Sequence, residues 1–491
     1  MNPPFGSIIW KTGIAIISDL VIRLSNVLFF ILLTWKNGST DASAFSVGFV
    51  YASFLTALCL GGLEQLLNRE ISGQNTEGNF LLGNFLLARV LVGISLFIGL
   101  VVWVAYFGAF DPYTVLLILS LGTTIVSESV INLLQSVLIA VSRVGFILTL
   151  NLIFGLLRLL VGLGFVFFAM NALMIAVWTT LVSWLVAFFY LVVVWHMFMR
   201  PRISFDRDFW IRYAKTALPI ILVSLMVAME RGFDSIFMSM GGAQSLLLVG
   251  AYSAANSVLN AMSLIPNSFR QILLSSLAAH YHKQRQYAIQ IYLVAFRWSL
   301  FLSLLLCLVI GLNAHHIMLL LYRDAFTAAI PVLQILIWSW FWTMLLVPNG
   351  RLILTAGLQN KAILPQFIGM LINVGLNLVL QPSLTLVGAA IAKVASTAVI
   401  FWGHLILVFK ELYRWDIRLL VRPALSAGLV FVLVFAVLDW LHVHWIIVSI
   451  FGIIAYFVVL YFYGEIDRAK LLAIFHSIQH RLSFHSSGER L

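Results

Sequence analysis

Fourteen apolar runs of about twenty residues follow one another along the chain, at 14–35, 44–66, 80–106, 114–140, 146–169, 172–198, 217–240, 249–275, 289–311, 330–350, 362–381, 386–409, 423–440 and 445–463. Each is long enough to cross a bilayer as a helix. They are continuously apolar, without the two-residue alternation of barrel strands, so a closed barrel is excluded. Only 10% of the residues are charged and 62% are hydrophobic, against about 25% charged in a soluble domain. The longest polar intervals, Met199 to Lys215 and the tail after Gly464, are too short to fold alone, which excludes an appended enzyme or ATPase domain. The chain therefore reads as an all-α membrane protein with about 14 transmembrane helices.

Basic residues orient it. With the N-terminus on the cytoplasmic side, inside segments hold 20 of the 29 Lys and Arg, outside segments hold two (Lys36 and Arg323), and seven lie within helices. That asymmetry places both termini in the cytoplasm. It also accounts for the formal charge of +11 through a rim that faces anionic lipid, with no nucleic acid involved. Lys11 precedes an apolar run without a small-residue cleavage site, so the first run reads as a retained helix. Cys59 and Cys307 fall inside runs, where a thiol behaves as a small apolar group.

The chain also repeats itself. Arg23-Leu-Ser-Asn26 before Val-Leu-Phe-Phe aligns with Arg231-Gly-Phe-Asp234 before Ser-Ile-Phe-Met. Tyr51-Ala-Ser aligns with Tyr252-Ser-Ala, and Ile139 to Arg158 with Leu354 to Asn373. An even number of helices per repeat returns the chain to the same side. The expected organisation is two pseudo-symmetric six-helix lobes around a central cavity, at 1–199 and 217–412. A cytoplasmic interfacial linker at 200–216 would join them. Two further helices would occupy 413–464, with a cytoplasmic amphipathic tail at 465–491. The linker carries Ile203, Phe205, Phe209, Trp210 and Tyr213, and the tail Leu471, Phe475, Ile478 and Leu482 at helical spacing, which suits anchoring at the interface.

The most expensive stretch is Met229-Glu230-Arg231-Gly232-Phe233-Asp234, three ionisable side chains within an apolar run. Such groups cost roughly 2.5 to 3.5 kcal/mol each in hydrocarbon, so they face protein or water and mark a transport path. Pro266 and Pro348 each remove a backbone bond and are expected to bend their helices. The pairs His315-His316, His280 with His282, and His442 with His444 lack cysteine or carboxylate companions and read as interfacial, not metal-binding. No G-x-x-x-x-G-K-[ST] segment occurs, so no P-loop hydrolyses ATP. Any driving force is an ion gradient or the cargo gradient.

The second half carries Leu321-Tyr322-Arg323-Asp324-Ala325-Phe326 before Pro331-Val332-Leu333, then Asn349-Gly350-Arg351, Thr355-Ala356-Gly357, Ile372-Asn373 with Leu376-Asn377, and Val387-Gly388-Ala389-Ala390-Ile391-Ala392. This pattern resembles the polysaccharide transporter branch of the multidrug, oligosaccharidyl-lipid and polysaccharide exporter superfamily. The topology is similar over the whole chain, and the motifs over about 315–400. Two departures stand out. Arg323 follows the tyrosine where the family often has glycine, and Lys393 stands where it has a small or neutral polar residue.

The resemblance implies a monomeric flippase of the bacterial cytoplasmic (inner) membrane. Its substrate would be an undecaprenyl-diphosphate-linked oligosaccharide moved to the outer leaflet, and its partners membrane lipids and polysaccharide polymerase or export machinery. It implies no cofactor or metal beyond a coupling ion, H+ or Na+. Such a cargo needs cavity cations for its pyrophosphate, and arginine suits phosphate through its planar, permanently charged fork. The candidates are Arg23, Arg158, Arg231 and Arg270. Asp19 lies one turn before Arg23 and Asp234 three residues after Arg231, so each arginine has a possible neutralising partner on its helix. Glu64 and Glu128 fit equally as charge partners or as parts of a proton path, and Glu230 is a further charge partner.

Related carriers place a cation site in the second lobe, and the matching positions are Asp234, Asn373, Asn377 and Thr397. Lys393 falls at the same depth. Its ammonium can satisfy the carboxylate that a sodium ion otherwise would, and the expectation is a proton-linked site or a fixed Asp234 to Lys393 bridge, with sodium third.

Other classes predict other residues. A multidrug cation exporter of the same superfamily wants an acid-rich cavity, whereas here Arg23, Arg89, Arg158, Arg231, Arg270, Arg297 and Lys393 outnumber Asp19, Glu64, Glu128, Glu230 and Asp234. A peptidoglycan-precursor flippase differs only in cargo. A polytopic polymerase or glycosyltransferase wants catalytic acids on a large outer loop, and the longest, Asn313 to Ala329, has Asp324 alone.

Overall fold

A segment immersed in hydrocarbon must satisfy its own backbone hydrogen bonds, and the continuous apolar runs do so as helices. The computed structural model describes residues 5–59, 61–72, 78–141, 143–168, 171–203 and 207–465; the side chains of 5–23, 26 and 158, among others within helices, lie outside the described set. In chain order the helices are α1 (Phe5–Leu58), α2 (Leu63–Ser72), α3 (Gly78–Tyr106), α4 (Pro112–Gly122), α5 (Thr124–Ala140), α6 (Val144–Phe168), α7 (Ala172–Met197), α8 (Arg207–Ser239), α9 (Leu246–Met262), α10 (Leu264–His280), α11 (Arg285–Leu312), α12 (Ala314–Tyr322), α13 (Ala329–Thr355), α14 (Ile363–Glu411), α15 (Ile417–Trp440) and α16 (Trp445–Phe462). No strand occurs among the described residues.

Two of these are hairpins. In α1 the backbone leaves the helix at Gly38, φ +84°, and the Phe29 and Phe45 rings meet at 5.4 Å, where straight helix would separate them by about 24 Å. In α14 the break is at Thr385, φ +48°, and Asn373 reaches Ser396 at 3.5 Å. With α1 and α14 each counted as two segments, and α4–α5 and α9–α10 each as one, the described helices provide for fourteen spans. It is a multi-pass membrane protein.

The apolar run 44–66 does not stay one helix. It ends at Leu58, and the chain turns through Gly61 and Gly62 before α2. Gly62 has φ +98°, and a Cβ there would lie 2.6 Å from Ile220 Cγ2 of α8, so both torsion and space require glycine. Ser263 divides α9 from α10 just before Pro266. Pro348, in contrast, sits inside an unbroken α13. At the head of α4, Asp111 caps the helix through the Thr114 amide at 3.1 Å, beside Pro112. The Thr114 hydroxyl and the helix-terminal amides hold the Asp111 carboxyl below its ordinary range.

The cores show how the two lobes meet. One continuous core takes Phe30, Ala42, Val47, Tyr51, Leu100, Leu117 and Ala172 from the first lobe together with most of the second. Those first-lobe residues belong to the halves of their helices nearest Gly38. The opposite halves build a separate core around Leu67, Leu81, Leu134 and Tyr190, joined to the second lobe through Ala217, Ile220 and Ile221 of α8. The lobes thus share one continuous core at the Gly38 end, and at the other the first-lobe core meets the second lobe at α8. The last two helices lie against α11, where Gly428 admits Leu304 and Leu308 and the Tyr456 hydroxyl donates to Phe301 O at 2.9 Å.

Before α8 the chain folds back on α3. The Arg202 amide donates to Asn79 O at 3.0 Å, and a Cβ on Gly83 would lie 2.2 Å from Arg202 O. Backbone cannot yield as a flexible side chain does, so Gly83→Ala is expected to cost about 1 to 3 kcal/mol. Thermal unfolding of the detergent-solubilised protein checks this, with Gly99→Ala in the same helix, which meets nothing within 4 Å, melting like the parent.

Candidate functional site

The buried polar groups of the second lobe form one connected network between α8, α9 and α14. Three amides recur every fourth residue on one face of α14, Asn373, Asn377 and Gln381, all buried. Gln381 Nε2 donates to Asn377 Oδ1 at 2.6 Å and to the Asp234 carbonyl at 2.9 Å. Asn377 Nδ2 donates to Asn373 Oδ1 at 3.2 Å, and Asn373 Nδ2 to the Ser396 hydroxyl at 3.5 Å. Buried amides left unpaired are costly, so such a ladder fixes the register of α14 against α8.

Two acids enter this network by different routes. The Tyr252 hydroxyl donates to Asp234 Oδ2, and the Ser235 amide donates to Asp234 Oδ1 at 2.9 Å. Glu230, one turn earlier, takes the lysine: Lys393 Nζ lies 3.1 Å from Glu230 Oε1 and donates to the Glu230 carbonyl at 2.5 Å. The bridge expected between Asp234 and Lys393 is therefore made by Glu230, because Asp234 points at Tyr252 of α9. Thr397 points back into its own helix, donating to Lys393 O at 3.0 Å.

The arginines behave in the opposite way. Arg231 is exposed, and Arg270 and Arg351 are half-buried. None of the three has a carboxylate within ion-pair distance among the described residues. The expected neutralisation of Arg231 by Asp234 does not occur, since Asp234 is committed inside the lobe. Leu218, Leu222 and Leu225 form an exposed apolar stripe along α8, and Arg231 lies roughly 140° away from it at 100° per residue. The α8 face toward lipid and the face bearing the guanidinium are therefore different. Arg270 of α10 lies within electrostatic range of both Arg231 of α8 and Arg351 of α13.

In the first lobe the described charges of the α2–α3–α5 contact are paired. Arg89 is buried, pairs with Glu64 and donates to Ser129 O at 2.6 Å. Glu128 accepts from the Ser183 hydroxyl at 3.2 Å. The side chains of Asp19, Arg23 and Arg158 lie outside the described residues. Sequence reasoning missed Arg351, which composition assigns to a cytoplasmic loop although it is the third member of the unpaired cluster. It also missed Gln381, for which the four-residue recurrence after Asn373 and Asn377 was a usable signal.

Removing Lys393 alone leaves Glu230 buried without its counter-charge, which costs about 3 to 5 kcal/mol. Lys393→Met is expected to lower the melting temperature in detergent, and the double variant with Glu230→Gln to recover most of the loss.

The chain matches no family model and no curated protein. Solved structures do match. Over 91% of this chain and 98% of the other, it is similar to the lipid II flippase MurJ in an inward closed conformation, with a TM-score of 0.73 and 15% identity. Over 81% of this chain and 100% of the other, it is similar to an inward-facing multidrug resistance MATE family transporter of the MOP superfamily, at 0.61 and 16%. A MOP superfamily transporter from Pyrococcus furiosus, described as having a binding pocket of reverse polarity, matches at 0.56 and 15% over 82% of this chain and 96% of the other. The fold is the one that these flippase and transporter structures share.

Proposed function

We propose that this protein is a flippase that carries an undecaprenyl-diphosphate-linked oligosaccharide from the cytoplasmic to the outer leaflet of a bacterial cytoplasmic membrane, with both termini in the cytoplasm. The observation that carries this reading is the set of guanidinium groups Arg231, Arg270 and Arg351, on three helices of one lobe, with no carboxylate partner among the described residues. Like charges held together repel, and an anion between them relieves the repulsion. A diphosphate offers several acceptor oxygens to planar donor forks. Arg23 and Arg158 are proposed to complete the site from the first lobe. A carrier of cationic drugs would want the opposite, free acids, whereas Glu230, Asp234 and Glu64 are all engaged.

Binding phosphate with one fork less loses about 1.5 to 3 kcal/mol, tenfold or more in affinity. Cells lacking the protein are expected to accumulate the lipid-linked oligosaccharide on the cytoplasmic leaflet, and Arg231→Ala or Arg270→Ala to fail to clear it at normal abundance. Clearance at the parental rate by both variants overturns the reading. A second cargo, a peptidoglycan precursor, is favoured by the match to a lipid II flippase, and the identity of the accumulated lipid separates the two.

For energy coupling we propose that the ammonium of Lys393 takes the place of a sodium ion. It already neutralises the acid of the α8–α14 network, while Tyr252 satisfies Asp234, which leaves a proton or the cargo gradient as the drive. Transport is expected to persist when sodium is replaced by choline. A sodium requirement that survives in Lys393→Ala contradicts this.

A further inference from the structure

The four described non-glycine residues with positive φ are Ala109, Arg323, Thr385 and His442. All lie at the Gly38 end of the bundle, where the lobes share a core. At the other end the positive-φ residues are glycines, Gly62, Gly357 and Gly464. A side chain in such a conformation costs of order 1 to 3 kcal/mol and persists only where the surroundings over-determine it, which makes the position a place to look for function.

Two of the four touch the opposite lobe. Ala109 O accepts from the Ala243 amide at 3.2 Å. Arg323 is the more informative, because its φ of +53° and ψ of −138° suit glycine and its exposed side chain needs no burial. Its guanidinium lies 4.9 Å from the centre of the Trp35 ring on the first span. Two residues earlier, Leu321 O accepts from Trp35 Nε1 at 2.8 Å. Between them, Tyr322 packs against Phe30 of the same first span at 5.6 Å, and its hydroxyl lies 2.6 Å from the Ser257 hydroxyl of α9. Phe326 stacks on Phe30 at 6.0 Å and meets Tyr322 at 5.8 Å, so the three rings form one cluster. Residues 321–326 thus grip one face of the first span, with Arg323 closing over its outermost aromatic ring.

We infer that Trp35 and Arg323 form a latch between the lobes, holding this end shut and breaking whenever the end opens. The cation over the indole stabilises the shut state, and the unfavourable Arg323 backbone weakens it, so one residue sets both sides of the balance. Glycine at 323 would remove the strain and the latch together. The inference rests on the carrier reading only in requiring that this end opens, and it needs no particular cargo.

The test reads populations without substrate. Spin labels on Thr40→Cys and Thr327→Cys, both exposed and on opposite lobes, report the distance across this end in the full-length protein in lipid nanodiscs, while Cys59 and Cys307 stay buried. Arg323→Ala keeps the side-chain strain and loses the cation, so the open fraction relative to shut should rise about two- to fivefold, the range of an exposed cation–π contact. Trp35→Leu should raise it at least as much, and the double variant should add nothing for the shared pair. Arg323→Gly should open less than Arg323→Ala, and Arg323→Lys, which keeps the cation, should resemble the parent and serves as the folding control. Independent effects that multiply in the double variant, or an unchanged distance distribution in Arg323→Ala, overturn the latch.

Discussion

An ion in hydrocarbon must be neutralised, reach water, or be balanced by work done elsewhere in the fold, and this constraint explains how the second lobe is built. Glu230, Arg231 and Asp234 occupy little more than one turn of α8, yet they meet three fates. Glu230 turns inward to Lys393, Asp234 inward to Tyr252, and Arg231 outward into the open. The inward pair welds α8 to α14 and the ladder of Asn373, Asn377 and Gln381 continues the weld. Because the acids are consumed there, the arginine cannot be neutralised by its own helix. Its charge is available only because the network beside it is complete.

This division also distinguishes the two lobes. In the first, Arg89 is satisfied by Glu64 and the Ser129 carbonyl, so a buried guanidinium becomes a brace across α2, α3 and α5. In the second, Arg270 and Arg351 stay partly exposed on packed helices, without a described acid partner. Holding Arg270 within range of two like charges is unfavourable unless water or an anion separates them. On the proposed reading such an arrangement would discriminate by sign before shape, favouring a group that carries several negative oxygens.

Much of the fold was readable because the bilayer leaves the backbone few choices. Each apolar run had to become a helix, and the breaks at Gly38 and Thr385 were forced by the need to return. The break after Leu58 was not readable, since Cys59-Leu60-Gly61-Gly62-Leu63 is as apolar as the helix before it and the turn depends on Ile220 approaching Gly62 from another element. Asp234, Asn373, Asn377 and Lys393 were legible as one polar set by their common depth. Which acid takes Lys393 was not, because Glu230 and Asp234 lie one turn apart on α8 and the choice is made by Tyr252 from α9. Arg351 escaped for a related reason: hydropathy marks where a run ends, and α13 continues past that point to Thr355.

A carrier must hold two arrangements at nearly equal free energy, and a well-packed interface works against that. The shared core at the Gly38 end buries large rings from both lobes, Phe30, Tyr322 and Phe326 among them, and burial of this kind alone would stabilise the shut state by several kcal/mol. On the latch proposal, strained backbone at the same seam acts in the opposite sense, returning its cost as the lobes part. Glycine takes positive φ at Gly62 and Gly357, away from the seam, and at Gly242, which packs on Ala109 at the seam. Ala109 and Arg323, with side chains that resist their own torsions, stand where the lobes touch. Their position at the seam is what a fold requires if shutting one end is to remain reversible.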